Sequence, residues 1–225
     1  MVFTTGGEKR RIRGQEIGPS EEARPTCYTC FRPTSHCVCG LVTPFTAHCG
    51  ILILQHPNEW RKYYSTVKLV QRAVRNSACL RGVIFDENML KKRLNSREVY
   101  LLYPGANAAN CEEVLLNADS TVVVIDGTWD EAGKIVYRNP ILKTLPRLSF
   151  AKKLCSNYRI RKEPKEGCLS TVEAVGHLLR LNALAQGKDA AAYDGLFEAF
   201  GRMVDQQLSF FPRMRDPAFG QAITS

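Results

Sequence analysis

The sequence lacks the common nucleotide-phosphate signatures and any long hydrophobic run. Neither a P-loop nor a G-x-G-x-x-G pattern occurs in its 225 residues. No apolar stretch approaches the roughly 20 residues that span a bilayer, so we expect no membrane partner. The first residues lack the apolar core of a signal peptide, and four glutamates there argue against a transit peptide. We therefore expect a cytoplasmic protein in which residues 1–23 form a disordered tail.

Acidic residues are scarce in two basic windows that hold the excess positive charge. The formal net charge is +9. Residues 61–75 contain five Lys or Arg and no acid, and residues 151–165 contain six Lys or Arg and one Glu. The rest of the chain is nearly neutral, so the positive charge is clustered. Clustered positive charge favours a polyanionic partner.

The nine cysteines are an odd number, which argues against a disulfide framework in a chain without a secretion signal. Four of them, Cys27, Cys30, Cys37 and Cys39, lie together in the pattern C-x2-C-x6-C-x-C. Four thiolates so spaced can surround one ion tetrahedrally, which suits zinc; the alternatives are an iron–sulfur cluster and four unrelated free thiols. Because sulfur fills every position, residues 24–40 are expected to form a small zinc-binding unit with a structural metal.

Apolar runs alternate with helical patterns after residue 40, which predicts an α/β domain over residues 41–225. This alternation indicates a mostly parallel sheet with helices on both faces. Strands are predicted at 50–56, 99–105 and 121–127, and residues 145–150 and 156–164 are two further strand candidates. Helices are predicted over 57–75, from Thr128 to before Pro140, from Ser170 to about residue 187, and over about 194–208.

The predicted helix over residues 57–75 is amphipathic. Helical spacing places one set of residues toward the core and basic residues on nearly the opposite face. The core set is Tyr63, Val67, Val70 and Val74, and the basic stripe is Arg61, Lys68, Arg72 and Arg75.

A buried strand is predicted to end in Asp126, with Gly127, Thr128 and Trp129 directly after it. Ligands of open α/β sheets bind at the carboxyl ends of the strands, so these side chains are expected at a crevice. Gly127 permits a tight turn, Thr128 with Glu131 forms a capping box, and Trp129 offers a flat apolar face. The structural alternative is that Asp126 only caps the turn and Trp129 only fills the core.

Other polar groups are predicted at strand ends or helix starts. His56 and Glu59 follow the first strand, and Tyr103 follows the second. Ser170 and Thr171 open a helix, where free backbone N–H groups attract anions such as a carboxylate. The convergence of several such motifs favours one ligand site.

These motifs together resemble the DTW-domain family, named for Asp-x-Thr-Trp, which is Asp126-Gly127-Thr128-Trp129 here. They occur in order over residues 27–175. The other matching motifs are the four-cysteine unit with Arg32-Pro33, His56-Pro57-x-Glu59 with Ser65-Thr66, Leu101-Leu102-Tyr103-Pro104-Gly105, and Leu169-Ser170-Thr171-x-Glu173-Ala174.

The resemblance implies a SPOUT-like fold and a tRNA-uridine aminocarboxypropyltransferase. Such an enzyme transfers the 3-amino-3-carboxypropyl group of S-adenosylmethionine to N3 of a tRNA uridine and releases 5′-methylthioadenosine. A SPOUT-type RNA methyltransferase would share the fold and the donor. The non-enzymatic alternative is a zinc-ribbon RNA-binding protein. No obligate protein partner is expected.

For this reaction we expect Asp126 to act as general base and Trp129 to form part of the wall that buries the donor's methyl group. The donor site is expected to comprise Tyr103, Pro104, Gly105, Asp126, Gly127, Thr128, Trp129, Leu169, Ser170 and Thr171. The tRNA backbone is expected at Arg61, Lys62, Lys68, Arg72, Arg75, Arg159, Arg161, Lys162 and Lys165.

Overall fold

The computed structural model describes residues 25–60, 62, 64–151, 154–159 and 168–210. The predicted disordered tail lies outside these ranges. Four basic residues of the expected tRNA surface also lie outside them, namely Arg61, Arg161, Lys162 and Lys165. Among the helices of the described ranges, none is both long and apolar enough to cross a bilayer.

The centre of the fold is a six-stranded sheet. Its strands are β1 (Gly50–Gln55), β2 (Ser77–Arg81), β3 (Glu98–Leu102), β4 (Ala109–Asn110), β5 (Ser120–Asp126) and β6 (Arg147–Ser149). They lie in the order β2-β1-β5-β3-β6-β4, and every pair is parallel. The predicted parallel sheet is therefore confirmed, and the carboxyl ends of its strands lie along one edge.

Helices cover both faces of the sheet, as predicted. They are α1 (Pro57–Trp60), α2 (Val67–Ala73), α3 (Glu87–Arg93), α4 (Trp129–Arg138), α5 (Pro140–Thr144), α6 (Thr171–Ala185) and α7 (Ala191–Phe210). Successive residues of a strand point to opposite faces. Ile51 and Ile53 of β1 therefore pack in one core with α2, α6 and α7, whereas Leu52 and Leu54 pack in the other with α3, α4 and α5.

Both predicted capping boxes are present, and they begin α4 and α6 at the carboxyl edge of the sheet. Thr128 Oγ1 accepts a hydrogen bond from the Glu131 N–H, and Glu131 Oε2 accepts one from the Thr128 N–H at 2.8 Å. Ser170 and Glu173 make the same reciprocal pair, with 2.8 Å between the Ser170 N and Glu173 Oε2. Each box satisfies N–H groups that a helix start leaves without intrahelical partners.

The prediction of one helix over residues 57–75 is wrong, because α1 and α2 are separate. Tertiary hydrogen bonds hold the chain between them. Gln55 Nε2 donates to Ser65 Oγ at 3.1 Å, and the Tyr158 hydroxyl donates to the Tyr64 carbonyl at 2.9 Å. These contacts override the helical periodicity of the sequence.

The predicted basic stripe is wrong at Lys68, which does not point freely to solvent. Its ammonium donates to the Cys30 carbonyl at 2.9 Å and lies 4.9 Å from the centre of the Phe31 ring. Arg72 and Arg75 are exposed, as predicted. The inward set that can be described is buried, namely Val67, Val70 and Val74.

The described part of the predicted 156–164 strand, Ser156–Arg159, is not a strand. Glu173, in the first turn of α6, binds this segment instead. Its carboxylate accepts hydrogen bonds from Ser156 Oγ at 2.8 Å and from the Asn157 N–H at 2.6 Å. The buried Glu173 side chain thus holds the start of this segment.

The four-cysteine unit packs against the α/β domain. Cys30 is buried in the core that α2, α6 and α7 share. Arg32 is only 3% exposed, and its guanidinium donates to Gln207 Oε1 of α7 at 3.3 Å. The unit therefore joins the start of the described chain to its last helix.

Candidate active site

Asp126 ends β5 and connects three elements at the carboxyl edge of the sheet. It is 9% exposed. Gln55, its partner at the end of β1, donates from Nε2 to Asp126 Oδ2 at 2.8 Å. The hydroxyl of Thr171, the first residue of α6, donates to Asp126 Oδ1. The carboxylate thereby positions the start of α6 against β1 and β5.

The turn after Asp126 is crowded at Gly127 and leads directly to Trp129. A Cβ at Gly127 would lie 3.0 Å from the Cβ of Glu131, a contact so tight that Glu131 would have to shift by a few tenths of an ångström. Trp129 is 46% exposed, so the interpretation that it only fills the core is wrong. Its ring meets that of Tyr103 edge-on with 6.1 Å between the centroids, and its Nε1 donates to Cys168 Sγ at 3.2 Å.

A cavity of about 350 Å³ opens beside this turn. Its volume falls within the range of small-molecule sites, and its walls are largely apolar. Six of the residues predicted to bind the donor line it, namely Tyr103, Pro104, Gly127, Trp129, Leu169 and Thr171. The other lining residues, which were not predicted, are Leu102, Val124, Ile125, Leu148, Ser149, Phe150, Ala151, Leu154 and Ala174.

A smaller polar pocket of about 50 Å³ adjoins the large cavity, because Gly127, Leu169 and Thr171 line both. Its other lining residues are Glu59, Tyr64, Ser65, Thr66, Asp126, Tyr158 and Ser170. Asp126 and Ser170, expected in the donor site, thus belong to the polar pocket rather than to the apolar cavity.

Gly105 and Thr128, also expected in the donor site, line neither pocket. Thr128 caps α4. A Cβ at Gly105 would lie 2.7 Å from Arg147 Nη1, and that guanidinium donates to the Pro104 carbonyl at 3.2 Å. Gly105 therefore makes room for Arg147, which also lies 5.4 Å from the centre of the Tyr103 ring.

Polar groups around Glu131 stabilise its ionised form. Burial would raise the pKa of Glu131, but the Thr128 N–H, the Asn58 amide and the nearby His56 outweigh it and lower that pKa. Asn58 Nδ2 donates to Glu131 Oε1 at 2.9 Å, and His56 Nδ1 lies 3.1 Å from the same oxygen. The predicted His56 thus stabilises the start of α4.

The sulfur atoms of the four predicted metal ligands lie within 4.8 Å of one another. Two pairs, Cys27–Cys39 and Cys30–Cys37, are separated by 3.8 Å. A tetrahedral zinc site with bonds of about 2.3 Å has sulfur–sulfur edges of about 3.8 Å. The cluster can therefore hold a metal ion.

The thiols of this cluster have unequal pKa values. The Cys30 backbone N–H is the largest cause that lowers the pKa of Cys27 to about 6, whereas burial is the largest cause that raises the pKa of Cys39 to about 12. Four adjacent thiolates repel one another, so a bound cation is needed for all four to lose their protons.

Two described residues of the expected tRNA surface form ion pairs with acids. Lys62 pairs with Glu59, which lines the polar pocket, at 2.5 Å. Arg159 is exposed and pairs with Asp205 of α7 at 2.5 Å.

Fold and site together define an α/β protein with a cavity at the carboxyl edge of a parallel sheet and a four-cysteine cluster that could hold a metal ion. The chain belongs to the DTW domain family, which matches residues 24–208.

Curated relatives of this chain carry one functional name. This chain is 34% identical over 170 residues to the mouse (Mus musculus) protein named tRNA-uridine aminocarboxypropyltransferase 2. The match covers 71% of this chain and 57% of the relative. The Drosophila melanogaster protein of that name is 34% identical over 165 residues, covering 69% of this chain and 66% of the relative. The chain thus spans less than two thirds of these relatives.

A more distant relative is matched over more of its length. The Arabidopsis thaliana protein named tRNA-uridine aminocarboxypropyltransferase A is 21% identical over 210 residues, covering 76% of this chain and 77% of the relative. No solved structure matches the chain.

Proposed function

We propose that this chain transfers the 3-amino-3-carboxypropyl group of S-adenosylmethionine to N3 of a tRNA uridine. Uridine N3 forms a bond to the γ-carbon of the propyl arm while the bond from that carbon to sulfur breaks. The electron pair goes to sulfur, which leaves as the neutral thioether 5′-methylthioadenosine, and the N3 proton goes to a base. The names of the relatives support this reaction.

The observation that carries the proposal is that an apolar cavity and a polar pocket adjoin, with Gly127, Leu169 and Thr171 lining both. The apolar cavity of about 350 Å³ suits the nucleoside and the methyl group on sulfur. The polar pocket suits the amino and carboxylate groups of the propyl arm. All three carbons on the sulfonium are electrophilic, so the carbon presented to the acceptor decides the reaction.

Trp129 is proposed as the wall that keeps the methyl group away from the acceptor, because its indole lines the apolar cavity. Asp126 is proposed as the general base for N3–H, because it lines the polar pocket next to that cavity. We expect Asp126→Asn to lower the transfer rate by at least about 100-fold, the lower range for loss of a general base. A merely structural Asp126 would leave the pH dependence of the remaining rate unchanged.

The tRNA must present its uridine unpaired, because N3 lies on the Watson–Crick edge. We propose that exposed Arg72 and Arg75, with the basic residues of 151–165, hold the tRNA backbone. A SPOUT-like relation of the fold and a cytoplasmic location stay predictions.

We propose zinc as the ion of the four-cysteine cluster, in a structural role. The sulfur spacing suits zinc, and four sulfur ligands leave no position for a reacting group. Metal analysis of the purified protein tests this: one zinc per chain is expected, and visible absorption from an iron–sulfur cluster would contradict it.

The decisive test incubates the purified chain with S-adenosylmethionine and unmodified tRNA and analyses the products by mass spectrometry. We expect an aminocarboxypropylated uridine and 5′-methylthioadenosine. S-adenosylhomocysteine with a methylated base would show the methyltransferase instead. Absence of donor binding in calorimetry would favour the non-enzymatic RNA-binding protein.

A further inference from the structure

The exposed side of α4 carries an open groove that the proposed roles leave unused. It has a volume of about 430 Å³ and is lined by Trp129, Asp130, Gly133, Lys134 and Tyr137. Trp129, Gly133 and Tyr137 are spaced four residues apart, so they lie along one face of the helix. The Tyr137 residue is 71% exposed and Trp129 is 46% exposed, which is high for large aromatic residues. We call this surface the α4 groove.

Packing among the described residues does not explain the glycine in the α4 groove. Gly133 lies inside α4, where glycine is less favourable than alanine. A Cβ at this position would lie 4.0 Å from the Tyr103 hydroxyl oxygen, its nearest neighbour outside the α4 backbone, so the described residues leave room for a side chain. Gly133 therefore keeps the floor between the two aromatic rings open to a ligand.

The charge around the α4 groove suits an anion. Lys134, Arg138 and Lys143 are exposed, against one exposed acid, Asp130. The Lys143 ammonium lies 4.3 Å from the centre of the Tyr137 ring. Aromatic faces interleaved with cations are the features that bind single-stranded nucleic acid, since bases stack on the rings while cations contact phosphates.

We propose that the α4 groove binds a nucleotide that flanks the target uridine in a single-stranded tRNA loop. Its base stacks on Tyr137 over Gly133, and its phosphates contact Lys134 and Lys143. Trp129 lines both this groove and the donor cavity, which brings the bound strand next to the reacting group. The inference rests on the proposed function and adds a surface outside both basic windows.

The first test measures tRNA affinity for variants of the full chain. Tyr137→Ala is expected to weaken binding about tenfold through loss of stacking, whereas Tyr137→Phe keeps it. The double variant Lys134→Ala/Lys143→Ala is expected to reduce the slope of log affinity against log salt by about 1.5. Donor affinity, measured by calorimetry, is expected to stay unchanged in all of these variants.

A second variant separates binding from folding. Gly133→Leu fills the floor of the groove with a strong helix former, so the melting temperature is expected to rise while tRNA affinity falls. Two matched surface controls are expected to change neither quantity: Leu184→Ala, at a 52% exposed apolar residue, and Lys91→Ala, in the exposed pair with Glu87.

The outcomes distinguish the groove from the proposed function. If the wild type performs the transfer and the variants bind tRNA as tightly as the wild type, the proposed role of the groove is overturned and the proposed function stands. A wild type that performs no transfer, combined with variants that lose tRNA affinity, would support the groove and overturn the transferase. A wild type without measurable tRNA affinity would overturn both, and loss of a protein partner with unchanged tRNA affinity would assign the groove to that partner.

Discussion

The helices α4 and α6 begin with the same sequence device and serve different purposes. Both start at the carboxyl edge of the sheet with a hydroxyl residue and a glutamate three positions later. Glu173 of α6 is 2% exposed and also binds the 154–159 segment, whereas Glu131 of α4 reaches His56 near the surface. The box of α6 joins parts of the fold, whereas the box of α4 places Trp129 beside the apolar cavity and the α4 groove. A capping motif thus takes its role from its surroundings.

The largest expected effect comes from breaking the buried box. Glu173→Ala would leave the Asn157 N–H and the Ser156 and Ser170 groups without their acceptor. We expect a loss of about 3 kcal/mol in the free energy of unfolding, since a charged acceptor of several hydrogen bonds is removed. Urea unfolding measures it. A loss no greater than that of Glu131→Ala would show that the two boxes are equivalent.

At the start of α4 we expect the opposite result, a loss of ligand affinity with little loss of stability. Trp129→Ala removes a half-exposed ring that lines the apolar cavity, the proposed donor site. We expect donor affinity to fall about tenfold, because about 1.4 kcal/mol of apolar contact with the ligand is lost, with little change in unfolding free energy. Calorimetric titration with S-adenosylmethionine checks this. A large loss of stability with unchanged donor affinity would mean that the indole supports the fold instead.

A smaller effect is expected when the open box is broken. Glu131→Ala removes the reciprocal cap of α4 and the contacts with Asn58 and His56. We expect a loss of about 1 kcal/mol, the usual value for one helix cap near the surface. Thermal and urea unfolding beside Glu173→Ala give the comparison directly.

The smallest expected effect is a pH dependence at the same carboxylate. The pKa of Glu131 is lowered in the folded protein, so its ionised form is favoured by folding. Its contribution to stability is fully present above the ordinary pKa of 4.5 and is lost as pH falls through the lower folded value. The melting temperature of Glu131→Gln should therefore lie below that of the wild type at neutral pH, and this difference should become smaller as the pH falls below 4.5. A gap that stays constant across this range would contradict the shift.

Local patterns predicted the elements whose causes are local. The two capping boxes, the strand that ends in Asp126 and the four-cysteine cluster all follow from spacing over a few residues. The strand β2 was missed, because its residues are half-buried and lack a clear alternation. The break between α1 and α2 could not be predicted either, because it depends on hydrogen bonds with residues outside the predicted helix. Gln55 lies in the preceding strand, and Tyr158 is distant in sequence.

The sequence predicted the pocket-lining residues that end buried strands. It did not predict those in the segment that folds back over the sheet. Asp126 and Tyr103 follow apolar runs, which marks them in the sequence. Gln55 carries the same signal, a polar residue at the end of an apolar run, and could have been found by it. Phe150 and Leu154 have no such mark, because they reach the cavity only through the path of the chain after β6.

The position of Trp129 between the donor cavity and the α4 groove has a consequence for the order of events. A ligand that fixes the indole on one side removes freedom that a ligand on the other side would otherwise have to remove. Thermodynamic reciprocity then requires the proposed donor and the RNA to strengthen each other's binding by one common factor. A single shared ring would in this way favour the complex that holds both proposed ligands over the complexes that hold one.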